Sequence, residues 1–129
     1  RPYPGVAALL DGLLARGVPA AVLTNKPQAP AERLVAELLG RWPWVAVLGE
    51  RPGLPRKPDP TGALEAARAL GAAPAATLFV GDSDIDVRTA RAAGMRAVGA
   101  GWGFRGPDEL RAAGADVILD RPEDVLRLL

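Results

Sequence analysis

Residues 77–86 read Thr-Leu-Phe-Val-Gly-Asp-Ser-Asp-Ile-Asp, and this stretch decides the fold. The segment Thr77-Leu78-Phe79-Val80 predicts a buried strand that ends at Gly81-Asp82. A helix of about ten residues is predicted to follow and to end at Gly94. In parallel α/β sheets ligands bind at the carboxyl ends of the strands, so Asp82 is predicted to lie at such an edge.

The same alternation of strand and helix extends in both directions from this stretch. Apolar residues at helical spacing predict helices over residues 6–14, 34–39, 60–70 and 84–93, with weaker signals over 107–113 and 122–129. Short apolar runs predict strands over 20–23, 45–48, 77–80, 96–98 and 117–119. Continuously apolar strands are typical of a parallel sheet that is covered on both faces. We therefore expect one α/β domain over residues 1–129, a Rossmann-like doubly wound parallel sheet with helices on both faces.

Composition narrows the chemistry that is available to this chain. The 129 residues include no Cys and no His, which excludes thiolate nucleophiles, disulfides and imidazole-based zinc or triad chemistry. The formal net charge is +1 and the basic residues are scattered, so nothing indicates nucleic-acid binding. No apolar run is long enough to cross a bilayer, so we expect no membrane contact and a cytoplasmic location.

Two carboxylates in the deciding stretch suggest a metal site. Asp82 follows the strand and Asp86 lies in the first turn of the helix, so both can approach one point. Paired oxygen ligands of this kind suit Mg²⁺, which keeps several of its waters. The alternative is that Asp82 or Asp84 caps the helix while Asp86 interacts favourably with its dipole.

Two further polar segments lie where a phosphate could be bound. Thr24-Asn25 follows a strand, and a hydroxyl and an amide at this place can bind phosphate oxygens. Lys57 precedes a proline, which restricts its backbone and favours a directed cation. The alternatives are a simple turn at Thr24-Asn25 and a solvated lysine at Lys57.

The order Thr24-Asn25, Lys57-Pro58, Gly81-Asp82 and Asp86 resembles motifs two, three and four of the haloacid dehalogenase superfamily. The resemblance covers essentially the whole chain. Arg1–Gly5 resembles the segment that re-enters the core after the cap domain, and Asp82–Asp86 with Ala90, Ala93 and Gly94 resembles the extended fourth motif. Gly101-Trp102-Gly103-Phe104, 107–110 and 114–116 resemble the phosphoglycolate phosphatase branch of that superfamily in particular.

This resemblance implies a phosphomonoester hydrolase that works through an aspartyl-phosphate with Mg²⁺. It implies that Thr24 binds the transferring phosphoryl group with support from Asn25. It also implies that Lys57 neutralises charge on the phosphoryl oxygens and on the nucleophile. Asp82 would bind Mg²⁺, and Asp86 would help to hold the ion or its water.

The first motif of that superfamily, an apolar strand ending in Asp-x-Asp, does not precede Thr24-Asn25. Asp84-Ile85-Asp86 has the wrong position and lacks the following Thr, so we reject it as the nucleophile. In the family this first strand is central, between the strands that here end at Leu23 and Val80. We expect the chain, which begins at Arg1, to be part of a longer protein that supplies this strand and a cap domain. Donation of the strand by another chain is the alternative.

Three hypotheses follow for the function. The first is a magnesium-dependent phosphatase for a small phosphomonoester, active in the longer protein. The second is a catalytically inert phosphate- or metal-binding module that kept the scaffold. The third is a receiver-like domain, which places its acidic pair first and its Lys last, the reverse of the order here. The substrate and the oligomeric state, including a homodimer, are left open.

Overall fold

The structure, a computed structural model, describes residues 2–103 and 105–129, so Arg1 and Phe104 of the segments quoted above lie outside the described residues. Strands and helices alternate along these residues. The strands are β1 (Ala20–Pro27), β2 (Trp44–Glu50), β3 (Leu78–Gly81), β4 (Arg96–Ala100) and β5 (Val117–Leu119). The α-helices are α1 (Val6–Ala15), α2 (Gln28–Leu39), α3 (Thr61–Leu70), α4 (Asp84–Ala93) and α5 (Pro107–Ala113). Short 3₁₀ helices cover Pro74–Ala76 and Pro122–Leu128.

All three strand ladders are parallel, and they fall into two separate groups. β1 pairs with β2, with Val22 opposite Val47. β3 pairs with β4, which pairs with β5, so β4 lies in the middle of the second group. No hydrogen-bonded ladder joins β1 to β3 among the described residues. The α/β class and the parallel sheet predicted from the sequence are confirmed.

The core lies on both faces of the second group of strands. Ala97 of β4 belongs to a cluster with α3, α4 and α5, whereas its neighbour Val98 packs with Leu119 and Val125. Leu9 of α1 packs on that second cluster. Because adjacent residues of a strand point to opposite faces, these contacts place α3–α5 on one face and α1 with the last 3₁₀ helix on the other.

Helix α3 links the two groups of strands. Its residues Ala63 and Ala67 are almost fully buried in the cluster that contains Val87, and Leu23 of β1 packs against the same cluster. Leu23 also lies 2.8 Å from the position that a Cβ at Gly62 would occupy. The two groups therefore share one core although they share no ladder.

The space between β1 and β3 holds two cavities. One, of about 270 Å³, is lined by residues that include Leu13, Ala20, Leu78 and Val80. The other, of about 100 Å³, is lined by residues that include Ala21, Leu23, Phe79, Val80 and Met95. The apolar lining comes from both strands. The missing central strand is expected at this place, and the described residues supply no strand there.

The sequence placed most element boundaries closely, with three exceptions. β1 continues to Pro27, beyond the predicted end at Leu23, because Pro27 pairs again with Glu50 after an irregularity. α2 begins at Gln28, six residues before its first predicted apolar position. The predicted C-terminal helix is a 3₁₀ helix over Pro122–Leu128. No helix in residues 2–103 and 105–129 has both the length and the apolar character needed to span a membrane.

Candidate active site

The site is built at the carboxyl end of β3, where the chain turns into α4. Ser83 is the N-cap residue of α4, and its Oγ accepts a hydrogen bond from the N–H of Asp86 at 3.3 Å. The capping role considered for Asp82 or Asp84 is therefore wrong, because the helix begins at Asp84 and the residue before it must cap. Asp84 instead pairs with Arg88 one turn along the helix, at 3.1 Å.

Asp86 is the centre of the hydrogen-bond network. Its Oδ1 lies 2.6 Å from Nζ of Lys57. Its Oδ2 accepts hydrogen bonds from the backbone N–H of Asp82 at 3.1 Å and from the Ser83 hydroxyl at 3.3 Å. The side chains of Lys57 and Asp86 are 13% and 10% exposed, so this ion pair is shielded from water. A buried pair with additional hydrogen bonds has a fixed geometry.

Two glycines, Gly81 and Gly103, leave room for the side chains of Asp86 and Asp82, respectively. A Cβ at Gly81 would lie 2.5 Å from Oδ2 of Asp86, and closer still to its Cβ. A Cβ at Gly103, in the loop after β4, would lie 2.5 Å from Cβ and 3.0 Å from Oδ2 of Asp82. Neither position accepts a side chain without moving a carboxylate. The loop at Gly103 therefore packs directly against the side chain of Asp82.

Thr24 and Asn25 lie in the last part of β1, at the irregularity before Pro27. Oγ1 of Thr24 accepts a hydrogen bond from the N–H of Lys26 at 3.2 Å, so its own proton is still available to donate. Asn25 accepts a hydrogen bond from the N–H of Lys57 at 2.9 Å and donates one to the Lys57 carbonyl at 3.4 Å. Asn25 thus joins β1 directly to the lysine loop.

Gln28 fixes the same end of β1 to β2. Its Nε2 donates to the carbonyl of Val47 at 2.7 Å, and its Oε1 accepts from the N–H of Gly49 at 2.6 Å. Both contacts lie on β2, away from Lys57. The segment from Thr24 to Gln28 is consequently attached on two sides.

The loop that carries Lys57 leads directly into α3. The Lys57–Pro58 peptide bond is cis. Oδ1 of Asp59 accepts hydrogen bonds from the hydroxyl and the N–H of Thr61, at 2.6 and 2.9 Å, and both bonds hold the pKa of Asp59 below its usual value near 3.8. Pro60 occupies the N-cap position of α3 and has no side-chain cap, so Asp59 binds the first residue of the helix, Thr61, from one residue further out.

The residues predicted from the sequence are therefore largely brought together. Asn25, Lys57, Asp82 and Asp86 belong to one connected network. Thr24 is next to Asn25 in sequence, but within the described residues no hydrogen bond joins it to Lys57 or to either carboxylate. Its place in the site stays a prediction.

The donor set at Asp82 fits a magnesium ion. The Asp82 carboxylate is partly exposed and accepts no hydrogen bond from the described residues, so its oxygens are available as hard ligands. Both oxygens of Asp86 already accept hydrogen bonds. No group of three acidic side chains that could hold a metal converges in the described ranges. Magnesium nevertheless needs only one or two protein carboxylates and completes its shell with water and substrate oxygens.

Several residues that shape this site were missed in the sequence. Ser83 could have been found, since Ser-x-x-Asp is close to a capping-box pattern. Gly81 and Gly103 carry no sequence signal for the contacts described above. Glu109 of α5 accepts from the N–H of Asp84 at 3.1 Å, a contact that only the tertiary structure creates. Trp102, in the loop after β4, packs against the cluster around Val98.

Comparison with known proteins gives consistent matches over most of the chain. The family model for haloacid dehalogenase-like hydrolases matches residues 1–94. A phosphoglycolate phosphatase of Xylella fastidiosa (strain 9a5c) is 39% identical over 124 residues, which are 95% of this chain and 54% of the relative. A probable phosphatase, IndB, of Dickeya dadantii is also 39% identical, over 96% of this chain and 54% of its own length. The chain spans about half the length of the curated relatives it matches.

Solved structures give the same result for the fold. A structure from Lactobacillus delbrueckii subsp. bulgaricus, assigned provisionally as a phosphoglycolate phosphatase, matches with a TM-score of 0.90 and 38% identity. The match covers 98% of this chain and 53% of that chain. CbbY from Rhodobacter sphaeroides, solved in complex with phosphate, matches with a TM-score of 0.80 and 27% identity, over 95% of this chain and 55% of that one.

Proposed function

Because this chain belongs to the haloacid dehalogenase-like hydrolase family, we propose that the whole protein is a magnesium-dependent phosphatase acting on a small phosphomonoester. One observation carries the proposal. The Lys57 ammonium is held 2.6 Å from Asp86, next to Asp82, at the sheet edge where β1 and β3 end. A fixed cation beside an available carboxylate is what phosphoryl transfer requires of a protein, since most of its catalysis is positioning and charge neutralisation.

Each residue has a role in the proposed mechanism. The Thr24 hydroxyl donates a hydrogen bond to an oxygen of the transferring phosphoryl group. Lys57 neutralises charge on the phosphoryl oxygens and on the attacking carboxylate. Asp86 holds the Lys57 ammonium in place. Asp82 is the principal magnesium ligand, with Asp86 beside it, and the bound ion supplies further neutralisation of phosphoryl charge.

The nucleophile of the proposed aspartyl-phosphate route belongs to a strand that lies outside these 129 residues. The space between β1 and β3 supports this step, because both strands present apolar side chains to it and no ladder between described residues crosses it. A strand inserted there in parallel would end at the same edge as Asp82. Its terminal carboxylate would then face Lys57.

The proposed substrate class follows from the relatives, several of which are named phosphoglycolate phosphatases. We take phosphoglycolate as the first substrate to test. Selectivity is expected to come from the part of the protein outside this chain, as the resemblance implies for a cap domain. The cytoplasmic location predicted from the sequence stays a prediction.

An assay of the whole protein tests the proposal. Phosphate release from phosphoglycolate should require Mg²⁺, and Asp82→Asn should abolish it. Asp84→Asn is the matched control, because Asp84 lies two residues away and its side chain pairs with Arg88 on the helix surface. Release without magnesium, or release unaffected by Asp82→Asn, would refute the mechanism.

The inert-module hypothesis is separated from the phosphatase by the same assay. A module that only binds would take up phosphate or Mg²⁺ in calorimetry but would release none from any phosphomonoester. The receiver-like hypothesis loses its support, since the family model over residues 1–94 is that of the hydrolases.

A further inference from the structure

The amide of Asn25 is committed to the backbone of one residue, Lys57. Oδ1 accepts from the Lys57 N–H at 2.9 Å, and Nδ2 donates to the Lys57 carbonyl at 3.4 Å. The two residues are 32 positions apart, and both bonds are partly buried. A primary amide has two N–H donors and one carbonyl oxygen, so this pairing uses the oxygen and one of the two donors.

Lys57 is thereby held at both ends. Its backbone is bound by Asn25 on β1, and its ammonium is bound by Asp86 on α4 at 2.6 Å. A free lysine side chain occupies many rotamers and loses that freedom when it is fixed. Two fixed ends remove most of that freedom before any substrate is bound.

We propose that Asn25 is a positioning residue for Lys57 and acts through the lysine backbone rather than by contacting the phosphoryl group. This inference rests on the proposed phosphatase function and deepens it. It gives Asn25 a different role from the direct support of phosphate binding that the family resemblance implies. The Asn25 amide sets the distance between the end of β1, where Thr24 lies, and Lys57 on the loop between β2 and α3.

Little else in the described residues attaches this stretch of the loop to the sheet. Arg56 pairs with Glu50 at 3.2 Å, but both side chains are well exposed, so this pair is weak. The N–H of Asp59 bonds back to the carbonyl of Arg56 within the loop itself. Loss of the Asn25 contacts should therefore let the Lys57 backbone move. A displacement of about 1 Å at a positioning group can cost about 100-fold in rate.

A double-mutant cycle in the whole protein tests this inference, using Asn25→Ala, Lys57→Ala and the double variant. Asn25→Ala should lower kcat/KM by about 10- to 100-fold when Lys57 is present. It should lower it by less than about threefold when Lys57 is already Ala, because coupled residues are not additive. An equal factor in both backgrounds would show direct action on the substrate and overturn the inference.

Gln28→Ala is the matched control. It removes two hydrogen bonds from the same segment, but both go to β2 and neither to Lys57. Its effect should be additive with Lys57→Ala. Failure of the wild-type protein to release phosphate would instead refute the proposed function, and the inference would fall with it.

A second measurement works even where variants turn over too slowly to assay. The sequence contains two lysines, Lys26 and Lys57. Lys26 is exposed and serves as an internal standard for acetylation by an amine-reactive anhydride, followed by mass spectrometry. Relative to Lys26, labelling of Lys57 should rise several-fold in Asn25→Ala and stay unchanged in Gln28→Ala. Unchanged Lys57 labelling in folded Asn25→Ala would overturn the inference.

Discussion

Nζ of Lys57 lies 2.6 Å from Oδ1 of Asp86, and the two side chains come from a loop and a helix that are 29 residues apart in sequence. The other oxygen of Asp86 accepts from the Asp82 N–H and the Ser83 hydroxyl. The carboxylate therefore connects the lysine loop to the turn that carries the proposed magnesium ligand. Removing either charge affects both parts of the site.

Asp86→Asn should lower the free energy of unfolding by about 3 kcal/mol, because it leaves a lysine that is mostly buried without its counter-charge. Chemical denaturation of the whole protein measures the change. Arg88→Ala is the control, since the Arg88 side chain that pairs with Asp84 is 63% exposed and its loss should cost less than about 1 kcal/mol. Equal effects of the two substitutions would show that the buried pair is no more important than a surface pair.

Gly103→Ala should weaken magnesium binding. The added Cβ would lie 2.5 Å from the Cβ of Asp82, so the carboxylate or the loop must move. Calorimetric titration of the whole protein with Mg²⁺ should show an affinity loss of about tenfold or more, the effect expected when groups that orient a metal ligand are disturbed.

Gly106→Ala is the control in the same loop. Gly106 has a φ of +81°, but no described atom lies within 4 Å of the position that a Cβ would occupy there, so alanine adds backbone strain without touching Asp82. It should reduce stability by about 1 kcal/mol and leave magnesium affinity unchanged. Loss of affinity in both variants would attribute the effect to loop strain rather than to the contact with Asp82.

Gly81→Ala should displace the side chain of Asp86, as Gly103→Ala should displace that of Asp82. Its Cβ would overlap the Asp86 side chain, which is packed beneath the Lys57 ammonium. We expect a loss of several kcal/mol in the free energy of unfolding, in the range of severe overpacking. Denaturation measures the loss, with Gly53→Ala as the comparison. Gly53 has a φ of +84°, so alanine adds backbone strain of about 1 kcal/mol there, but no described atom lies within 4 Å of the added Cβ. A similar small loss in both variants would contradict the packing argument.

The stabilising contribution of Asp59 should depend on pH. The pKa of Asp59 is lowered from its usual value near 3.8 by the hydroxyl and the N–H of Thr61. A lowered folded pKa adds stability above the unfolded value, and that stability is lost as the pH falls through the folded pKa. The difference in Tm between wild type and Asp59→Ala should therefore be constant near pH 6 and shrink below about pH 4.

Asp59→Asn provides the control for that titration. Its amide oxygen can still accept from Thr61, but it does not ionise over this range. The Tm difference between Asp59→Asn and Asp59→Ala should not change with pH. A gap between wild type and Asp59→Ala that persists undiminished at about pH 3 would rule out the ionised carboxylate as its cause.

The parallel α/β class could be predicted from the sequence, because short apolar runs alternate with segments of helical spacing from residue 6 onward. It also predicted Lys57, Asp82 and Asp86 as candidate site residues, from a place before a proline, a place at a strand end and a place one helical turn further on. Local chain geometry is enough to place residues of this kind. Even the end of α4 at Gly94 follows from a residue that adopts a positive φ, at 75°.

The hydrogen-bond partners of these residues, in contrast, depend on tertiary contacts. Asn25 is assigned to phosphate by its position after a strand, yet its amide bonds the Lys57 backbone. The contact of Gly103 with Asp82 and that of Glu109 with Asp84 join segments that no local pattern relates. Contacts between distant segments depend on how the helices pack over the sheet, and helical or strand periodicity carries no information about that packing.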